Sequence, residues 1–316
     1  MVSILVPVYN AAPYLRKCVG SITGQTYTDL QIVLINDGST DGSWSIMQEL
    51  AREDSRIEIY TQANRGVAAT RNNLLERAKG DFVLFVDSDD WIEPDTIKVL
   101  IAEQAKGDYD IVMYQYDDVH YDQAEYSRPK AVMLFLQHTI FRGMLWNKFV
   151  RRRLFDGIEM DDSISYGEDS LMTWYILQRI DKMVSIKRFL YHYNRNESSL
   201  SNQSFNGNKF SSYMVWYNIT QETDKKWPQY SDDAHARFAC EMTQVLFAAV
   251  IGGYQRDEQV RMLQQEIKRD GHLMTKKNVS SPKMRLVSWL VSRHYGLMLH
   301  FSSVLGSNYR KRYGMQ

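Results

Sequence analysis

Short uninterrupted apolar runs alternate with longer stretches whose apolar positions recur every three or four residues through the first two thirds of the chain. The runs Ser3–Pro7, Gln31–Ile35, Ile57–Thr61 and Asp81–Val86 read as strands, and the intervening Pro13–Thr23, Ser43–Arg52 and Val67–Ala78 read as helices. This alternation predicts an α/β fold, a mostly parallel sheet flanked by helices. From about Lys98 the pattern loosens. Asp110–Tyr121, Trp146–Arg152 and Met183–Tyr193 still read as strands, and Glu168–Ile180 as an amphipathic helix opening on two acids. Beyond Asn208 the pattern is helical, with helices expected at roughly 209–226, 232–253, 256–270 and 283–304. The expected organisation is an α/β domain over residues 1–205 and a C-terminal α-helical extension over 206–316.

Ligands of such sheets bind beyond the carboxyl ends of the strands, and there this chain places its polar residues. Pro7-Val8-Tyr9-Asn10 follows the first strand, Asn36-Asp37-Gly38-Ser39-Thr40-Asp41-Gly42 the second, Asn64-Arg65-Gly66 the third, and Asp87-Ser88-Asp89-Asp90 the fourth. Asp-Gly and Asn-Arg-Gly are also ordinary turn chemistry. The fourth segment is different, because three crowded carboxylates at the mouth of a buried strand repel each other unless a cation or a set of donors sits among them. A hard divalent ion suits it: Mg²⁺ is typically held by one or two carboxylates, and substrate phosphates and water complete its shell.

Composition narrows the class. Thirty-eight Lys plus Arg balance thirty-eight Asp plus Glu, so no overall charge draws the chain to nucleic acid. The two cysteines, Cys18 and Cys240, support neither a disulfide framework nor a cysteine-based zinc site and fit a reducing compartment. Met-Val-Ser-Ile-Leu-Val at the start lacks a basic region and a cleavage site, so no secretory leader is expected. No run reaches the ~18–20 apolar residues of a membrane span. Between Lys268 and Arg312, however, lie Arg269, Lys276, Lys277, Lys283, Arg285, Arg293, Arg310 and Lys311, mixed with Trp289, Leu290, Tyr295, Leu297, Met298 and Phe301. That mixture suits a helix in an anionic membrane interface, the alternative being a helical pack on the catalytic domain or on a second copy in a homodimer.

Taken in order, Val6-Pro7-Val8-Tyr9-Asn10, Asn36-Asp37-Gly38-Ser39-Thr40-Asp41, the segment from Asn64 to Asn72, Asp87-Ser88-Asp89-Asp90 and Gly167-Glu168-Asp169 resemble the motif series of family 2 glycosyltransferases of the GT-A fold, over about residues 2 to 200. The resemblance implies a nucleotide-diphosphosugar transferase fold, with residues 1–95 binding the nucleotide sugar and 96–205 on the acceptor side, and an inverting reaction. It implies that Pro7, Tyr9, Asn10, Asn64 and Ser88 line the nucleotide pocket and that Asp37 accepts from a uracil imide. Arg71 would stand near the diphosphate, Asp87 would face the ribose, and Asp89 would ligate Mn²⁺ or Mg²⁺, with His192 as a further metal ligand or a phosphate contact, the alternative for His192 being a packed strand-end histidine. Asp90 is expected to cap the following segment, where Pro94 suits a helix start. Of Glu168 and Asp169, the implied base is Asp169, although acids also favour a helix N-terminus for purely structural reasons. Trp146-Asn147-Lys148 resembles a segment bordering the sugar and acceptor cleft, and Tyr191-His192-Tyr193-Asn194-Arg195 one that closes on the donor, with Arg195 toward the diphosphate.

The expected activity is metal-dependent transfer of a hexosyl or N-acetylhexosaminyl group from a UDP-sugar to a saccharide or polyprenyl-linked saccharide. The expected setting is cell-surface polysaccharide synthesis in the cytoplasm, peripheral to the inner face of the plasma membrane. A sugar-nucleotide pyrophosphorylase should carry a glycine-rich phosphate loop after the first strand, where Val8-Tyr9-Asn10-Ala11-Ala12-Pro13 has no glycine. A dinucleotide oxidoreductase fails on the same ground. A catalytically weak sugar-nucleotide-binding module should have lost the acids, and all are present.

Overall fold

The computed structural model describes residues 1–117, 119–137, 141–194, 205–276 and 280–300. The chain divides into two compact units. The first comprises Met1–Val132, Gly143–Ser163 and Glu168–Asn194, and the second comprises Met133–Arg142, Ile164–Gly167 and residues 195–316.

A single nine-stranded sheet organises the first unit. Its strands are β1 (Val2–Val8), β2 (Leu30–Asp37), β3 (Ile57–Gln62), β4 (Phe82–Phe85), β5 (Trp91–Ile92), β6 (Ile111–Tyr116), β7 (Ala124–Ser127), β8 (Lys148–Arg151) and β9 (Lys182–His192). They lie in the order β3-β2-β1-β4-β8-β6-β9-β5, with β7 also on β9. β1 to β4 pair in parallel, as do β6 and β9, whereas β8 runs antiparallel to both its neighbours and β5 and β7 antiparallel to β9. The parallel half matches the expected alternation, and the other half makes the sheet mixed. β1 and β2 are buried along almost their whole length without alternation, because their edges are paired by neighbouring strands and both faces are covered.

The helices α1 (Ala12–Thr23), α2 (Ser43–Glu53), α3 (Gly66–Arg77), α4 (Thr96–Gly107), α5 (Arg128–Gln137) and α6 (Glu168–Leu177) follow their strands. Pro13 sits in the first turn of α1, where its missing N–H costs nothing. Sequence reading missed β7 and α5, for physical reasons. β7 is Ala-Glu-Tyr-Ser and buries only Tyr126, so it lacks an apolar run. α5 buries Ala131, Val132, Leu134, Phe135 and Leu136, a nearly continuous apolar stretch that hides the helical period.

In the second unit, α7 (Ser212–Lys226), α8 (Ser231–Ile251), α9 (Glu258–Asp270), α10 (Leu273–Lys276), α11 (Pro282–Arg293) and α12 (Tyr295–His300) pack around α8. Asp257 caps α9 by accepting from the Val260 N–H at 2.9 Å, and Ser281 caps α11 by accepting from Met284 at 3.2 Å. The long helix expected from 283 ends at Arg293, because His294 leaves helical geometry before α12 begins. Among the described residues no helix is long and apolar enough to cross a membrane.

Candidate active site

The strand order turns at β1 and β4, with β2 and β3 on one side and β8 on the other, so a ligand crevice belongs beyond the carboxyl ends of these two strands. β4 pairs β1 only as far as Leu5 with Phe85, and β1 runs on with β2 to Val8. The loops that follow are therefore held by hydrogen bonds to one another. Asn10 takes the left-handed conformation that its short side chain tolerates, φ +49°. Its N–H donates to Ser39 Oγ at 3.0 Å and its Oδ1 accepts from the Thr40 N–H at 2.8 Å. Asp41 accepts from the Ala12 N–H at 3.0 Å and the Ser43 N–H at 2.9 Å. Gly38, at φ +69°, leaves no room for a side chain, since a Cβ would stand 2.7 Å from the Asn64 nitrogen. Pro7 is partly buried at the end of β1, Tyr9 is exposed just after it, and Asn64 is exposed in the loop after β3.

Asp37 is buried at the end of β2. Its carboxylate accepts from Gln62 Nε2, the Arg65 N–H and the Gly66 N–H, each at 2.9 Å. Two of these bonds hold the entry to α3 and the third ties the end of β3. One acceptor position of the carboxylate is not used in these three bonds.

Arg71, on α3, is buried rather than solvated. Nη1 donates to Glu168 Oε1 at 2.5 Å and Nη2 stands 3.5 Å from Asp87 Oδ1, while Nε has no hydrogen-bond partner. Burial works against its charge, yet Glu168, Asp87 and Asp169 together hold it above its usual pKa. The guanidinium alone would hold its two partners low. Burial outweighs it at both: Asp87, crowded also by Asp89 and Asp169, and Glu168, crowded by Asp169, are pushed up from the usual carboxylate range. The pair at the start of α6 is thereby divided. Glu168 belongs to a buried ion pair, and Asp169 is partly exposed with Oδ1 accepting from the Ser170 N–H at 2.7 Å.

Ser88 and Asp89 occupy the turn closed by the Asp90 N–H on the Asp87 carbonyl at 3.0 Å. Asp90 does not cap the segment after it. Buried, it accepts from the Tyr191 hydroxyl at 2.6 Å and the Asn194 N–H at 2.7 Å, clamping the end of β9. Burial and the charge of Asp87 push its pKa up. Tyr191 also accepts from the Asp87 N–H at 3.1 Å, and its ring stacks on Trp146 at 4.5 Å. Trp146 meets Tyr193 at 5.8 Å and Tyr116 edge-on at 4.4 Å, so it is one member of an aromatic wall.

Two expectations are corrected. His192 pairs its Nε2 with Glu93 Oε1 at 2.6 Å and stacks on Trp91 at 4.9 Å, because β5 pairs Trp91 against it. That engagement removes it from the metal assignment. Lys148 is wholly buried, its Nζ donating to Asn147 Oδ1 at 2.8 Å and to the Met144 carbonyl, so its ammonium has no exposed surface with which to border a sugar and acceptor cleft. Arg195 lies outside the described residues.

Among the described residues no group of three or more His, Cys, Asp or Glu side chains is arranged as a metal cage. The turn after β4 nonetheless brings Asp87, whose side chain is 28% exposed, and Asp89 together. Asp89 beside Asp87 fits an ion of the Mg²⁺ or Mn²⁺ kind, whose remaining ligands come from substrate and water.

The family model described as "Glycosyl transferase family 2" matches residues 3–164, which stops short of Glu168. GlyA, a glycosyltransferase of Streptococcus pneumoniae, is 33% identical over 227 residues, 63% of this chain and 31% of GlyA. EpsH of Bacillus subtilis, named as a glycosyltransferase, is 32% identical over 231 residues, 68% of this chain and 67% of EpsH. The chain therefore spans less than a third of one of these relatives and about two thirds of the other. Residues 1–349 of S. aureus TarS, crystallised with UDP-GlcNAc, superpose with a TM-score of 0.68 at 20% identity, covering 92% of this chain and 90% of that one. A Pyrobaculum calidifontis mannosyltransferase in complex with GDP-Man and Mn²⁺ reaches 0.54 at 13% identity, covering 100% and 88%. At such identities the two structures speak for the fold.

Proposed function

Because the chain belongs to glycosyl transferase family 2, we propose that it is an inverting, metal-dependent transferase moving a sugar from a UDP-sugar to a hydroxyl of a saccharide acceptor. The observation that carries the reading is the Arg71 bridge. One buried guanidinium holds Asp87, at the end of β4, and Glu168, at the start of α6, so the donor-side acids and the neighbouring Asp169 belong to one cluster.

In this reading the acceptor oxygen attacks the anomeric carbon, the bond from that carbon to the diphosphate breaks, and the hydroxyl proton passes to Asp169. The leaving group is the nucleoside diphosphate, and the configuration inverts. Pro7, Tyr9, Asn10, Asn64 and Ser88 form the nucleotide side, with the remaining acceptor position of Asp37 for the base. Asp89, with Asp87 beside it, would hold Mn²⁺ or Mg²⁺, which neutralises charge growing on the diphosphate. The UDP class is supported by UDP-GlcNAc in TarS, whereas the GDP-mannose enzyme is the more distant likeness.

We extend the reading to a membrane-proximal setting with a lipid-linked acceptor. No acid follows Asp270 in the chain. On α11 and α12, Leu286, Trp289 and Leu297 are exposed by 58%, 48% and 58%, and the basic Lys283 and Arg293 are exposed with them.

A panel of UDP-GlcNAc, UDP-glucose, UDP-galactose, UDP-glucuronate and GDP-mannose, followed for hydrolysis or transfer with and without Mn²⁺ or Mg²⁺, tests the enzyme. Metal-stimulated release of one nucleotide, lost in Asp169→Asn, is the expected result. Absence of turnover on every donor, or near-parent turnover in Asp169→Asn, overturns it.

A further inference from the structure

Lys148 begins β8 with no exposed surface, and among the described residues it is one of the largest fully buried side chains. A buried ammonium costs several kcal/mol in lost hydration, so packing alone does not explain it. Its Nζ donates to Asn147 Oδ1 at 2.8 Å and to the Met144 carbonyl, and its own N–H donates to the Leu145 carbonyl at 3.1 Å. The side chain thus ties residues 144–148 into a closed turn. Just before it, Gly143 abuts α6 so tightly that a Cβ there would lie 2.0 Å from Ser170 Oγ, and its carbonyl accepts from Thr173 Oγ1 at 2.5 Å. Ser170 is the residue whose N–H donates to Asp169 Oδ1 at 2.7 Å.

Charge follows the same route. Burial brings the Lys148 pKa down to about 7, and the negative charge of Asp169 works the other way. The attraction between the Lys148 ammonium and the Asp169 carboxylate is mutual. The charged groups whose fields act together with Asp169 are Glu168 on its own helix, Arg71 of α3, Asp87 after β4 and Lys148 of β8.

We propose that Lys148 is a positioning residue for the base Asp169, fixing the turn that abuts the first turn of α6 and supplying positive charge to that carboxylate. The proposal rests on the assignment of Asp169 made above.

The test is the pH profile of kcat for Lys148→Met, which keeps the shape, and Lys148→Gln, which keeps a donor for the Met144 carbonyl, with the nucleotide sugar turned over by the parent enzyme. Loss of the charge should move the acid limb toward neutral pH by about one unit in both variants, about a tenfold loss below the limb. Donor KM and UDP affinity should stay within about twofold, and Lys148→Gln should keep more of the alkaline plateau, since the carbonyl retains a partner. A uniform fall in kcat with an unmoved limb makes the lysine purely structural and overturns the proposal, as does loss of cooperative unfolding in both variants. Weakened UDP affinity with the limb unmoved overturns it in favour of a donor contact. Asp169→Asn is measured in parallel: near-parent turnover there sinks the base itself, whereas an inactive Asp169→Asn beside an unmoved Lys148 limb sinks only the positioning role.

Discussion

Arg71 donates from Nη1 to Glu168 Oε1 at 2.5 Å while Nη2 stands 3.5 Å from Asp87 Oδ1, so one buried cation joins the end of β4 to the first residue of α6. Removing it leaves the buried Glu168 and the partly buried Asp87 uncompensated, and breaking a buried pair typically costs about 3–5 kcal/mol. Arg71→Met should lower stability by that order in urea unfolding at neutral pH. Arg71→Lys should recover little, because an ammonium on a flexible stem lacks the planar fork that serves two partners. Adding Glu168→Gln to Arg71→Met should restore part of the loss by removing one of the stranded charges. A single-variant cost under about 1 kcal/mol would mean that the pair behaves as an exposed one.

Asp89 and Asp87 share the short turn after β4, and two carboxylates suit an ion completed by diphosphate oxygens. Treatment with EDTA should therefore abolish donor turnover, with Mn²⁺ or Mg²⁺ restoring it. In Asp89→Asn the metal concentration needed for half-maximal activity should rise at least about tenfold, and Asp89→Ala should be inactive at any metal concentration. Metal titrations followed by nucleotide release check both. Equal half-maximal concentrations in parent and Asp89→Asn would remove Asp89 from the metal.

How much of this site the sequence could disclose depends on the range over which each residue acts. The loops after β1, β2 and β4 were legible because a strand that stops in Asn, Asp and Gly announces its turn locally. Asp37 was legible as an acceptor at a strand end, but its partners Arg65 and Gly66 lie beyond β3 and come to it only through the parallel pairing of β2 with β3. Arg71 and Glu168 stand 97 residues apart, and nothing along the chain marks them as one ion pair. His192 misled for a related reason. Its metal-ligand chemistry is visible in the sequence, whereas the two-residue strand β5 that sets it against Trp91 is too short to read. Lys148 reads as part of a segment bordering the cleft, and only the three-dimensional packing shows it buried.

His235 on α8 links two acids of the helical unit, with Nδ1 2.8 Å from Asp270 Oδ2 and Nε2 3.2 Å from Asp224 Oδ2. The hydrogen bond to Asp270 is the main cause that raises the His235 pKa, against burial. On Asp270, burial opposes, but His235 and Arg269 prevail and lower it to about 2. A histidine raised above its unfolded value near 6.5 stabilises fully below that pH, and the contribution fades as pH rises through the folded value. A lowered aspartate stabilises above its unfolded value near 3.9 and loses that contribution as pH falls toward about 2. Unfolding midpoints followed by circular dichroism should thus be highest between about pH 4 and 6.5 as far as this cluster contributes. His235→Gln should flatten the decline on the alkaline side. An unchanged alkaline slope in that variant would show that the histidine titrates alike in the folded and unfolded chain.

Leu286 and Trp289 lie three residues apart on α11, hence on one face, and both are exposed alongside Lys283 and Arg293. The buried residues of the same helix, Ser288, Val291 and Ser292, turn inward, so substitution of the outer face should spare the fold. If that face enters an anionic interface, the full chain should sediment with vesicles containing phosphatidylglycerol and much less with pure phosphatidylcholine, and added salt should weaken the association. Leu286→Ser with Trp289→Ser should cut binding at least about tenfold, because the apolar contribution of two large side chains is about 1.5–3 kcal/mol each when buried. Lys283→Gln with Arg293→Gln should lower it less and reduce its salt dependence, since each basic residue near such a surface contributes about 1 kcal/mol. Nucleotide release in solution should be unchanged in all these variants. Equal sedimentation of parent and Leu286→Ser/Trp289→Ser on anionic vesicles would exclude this face as the docking surface.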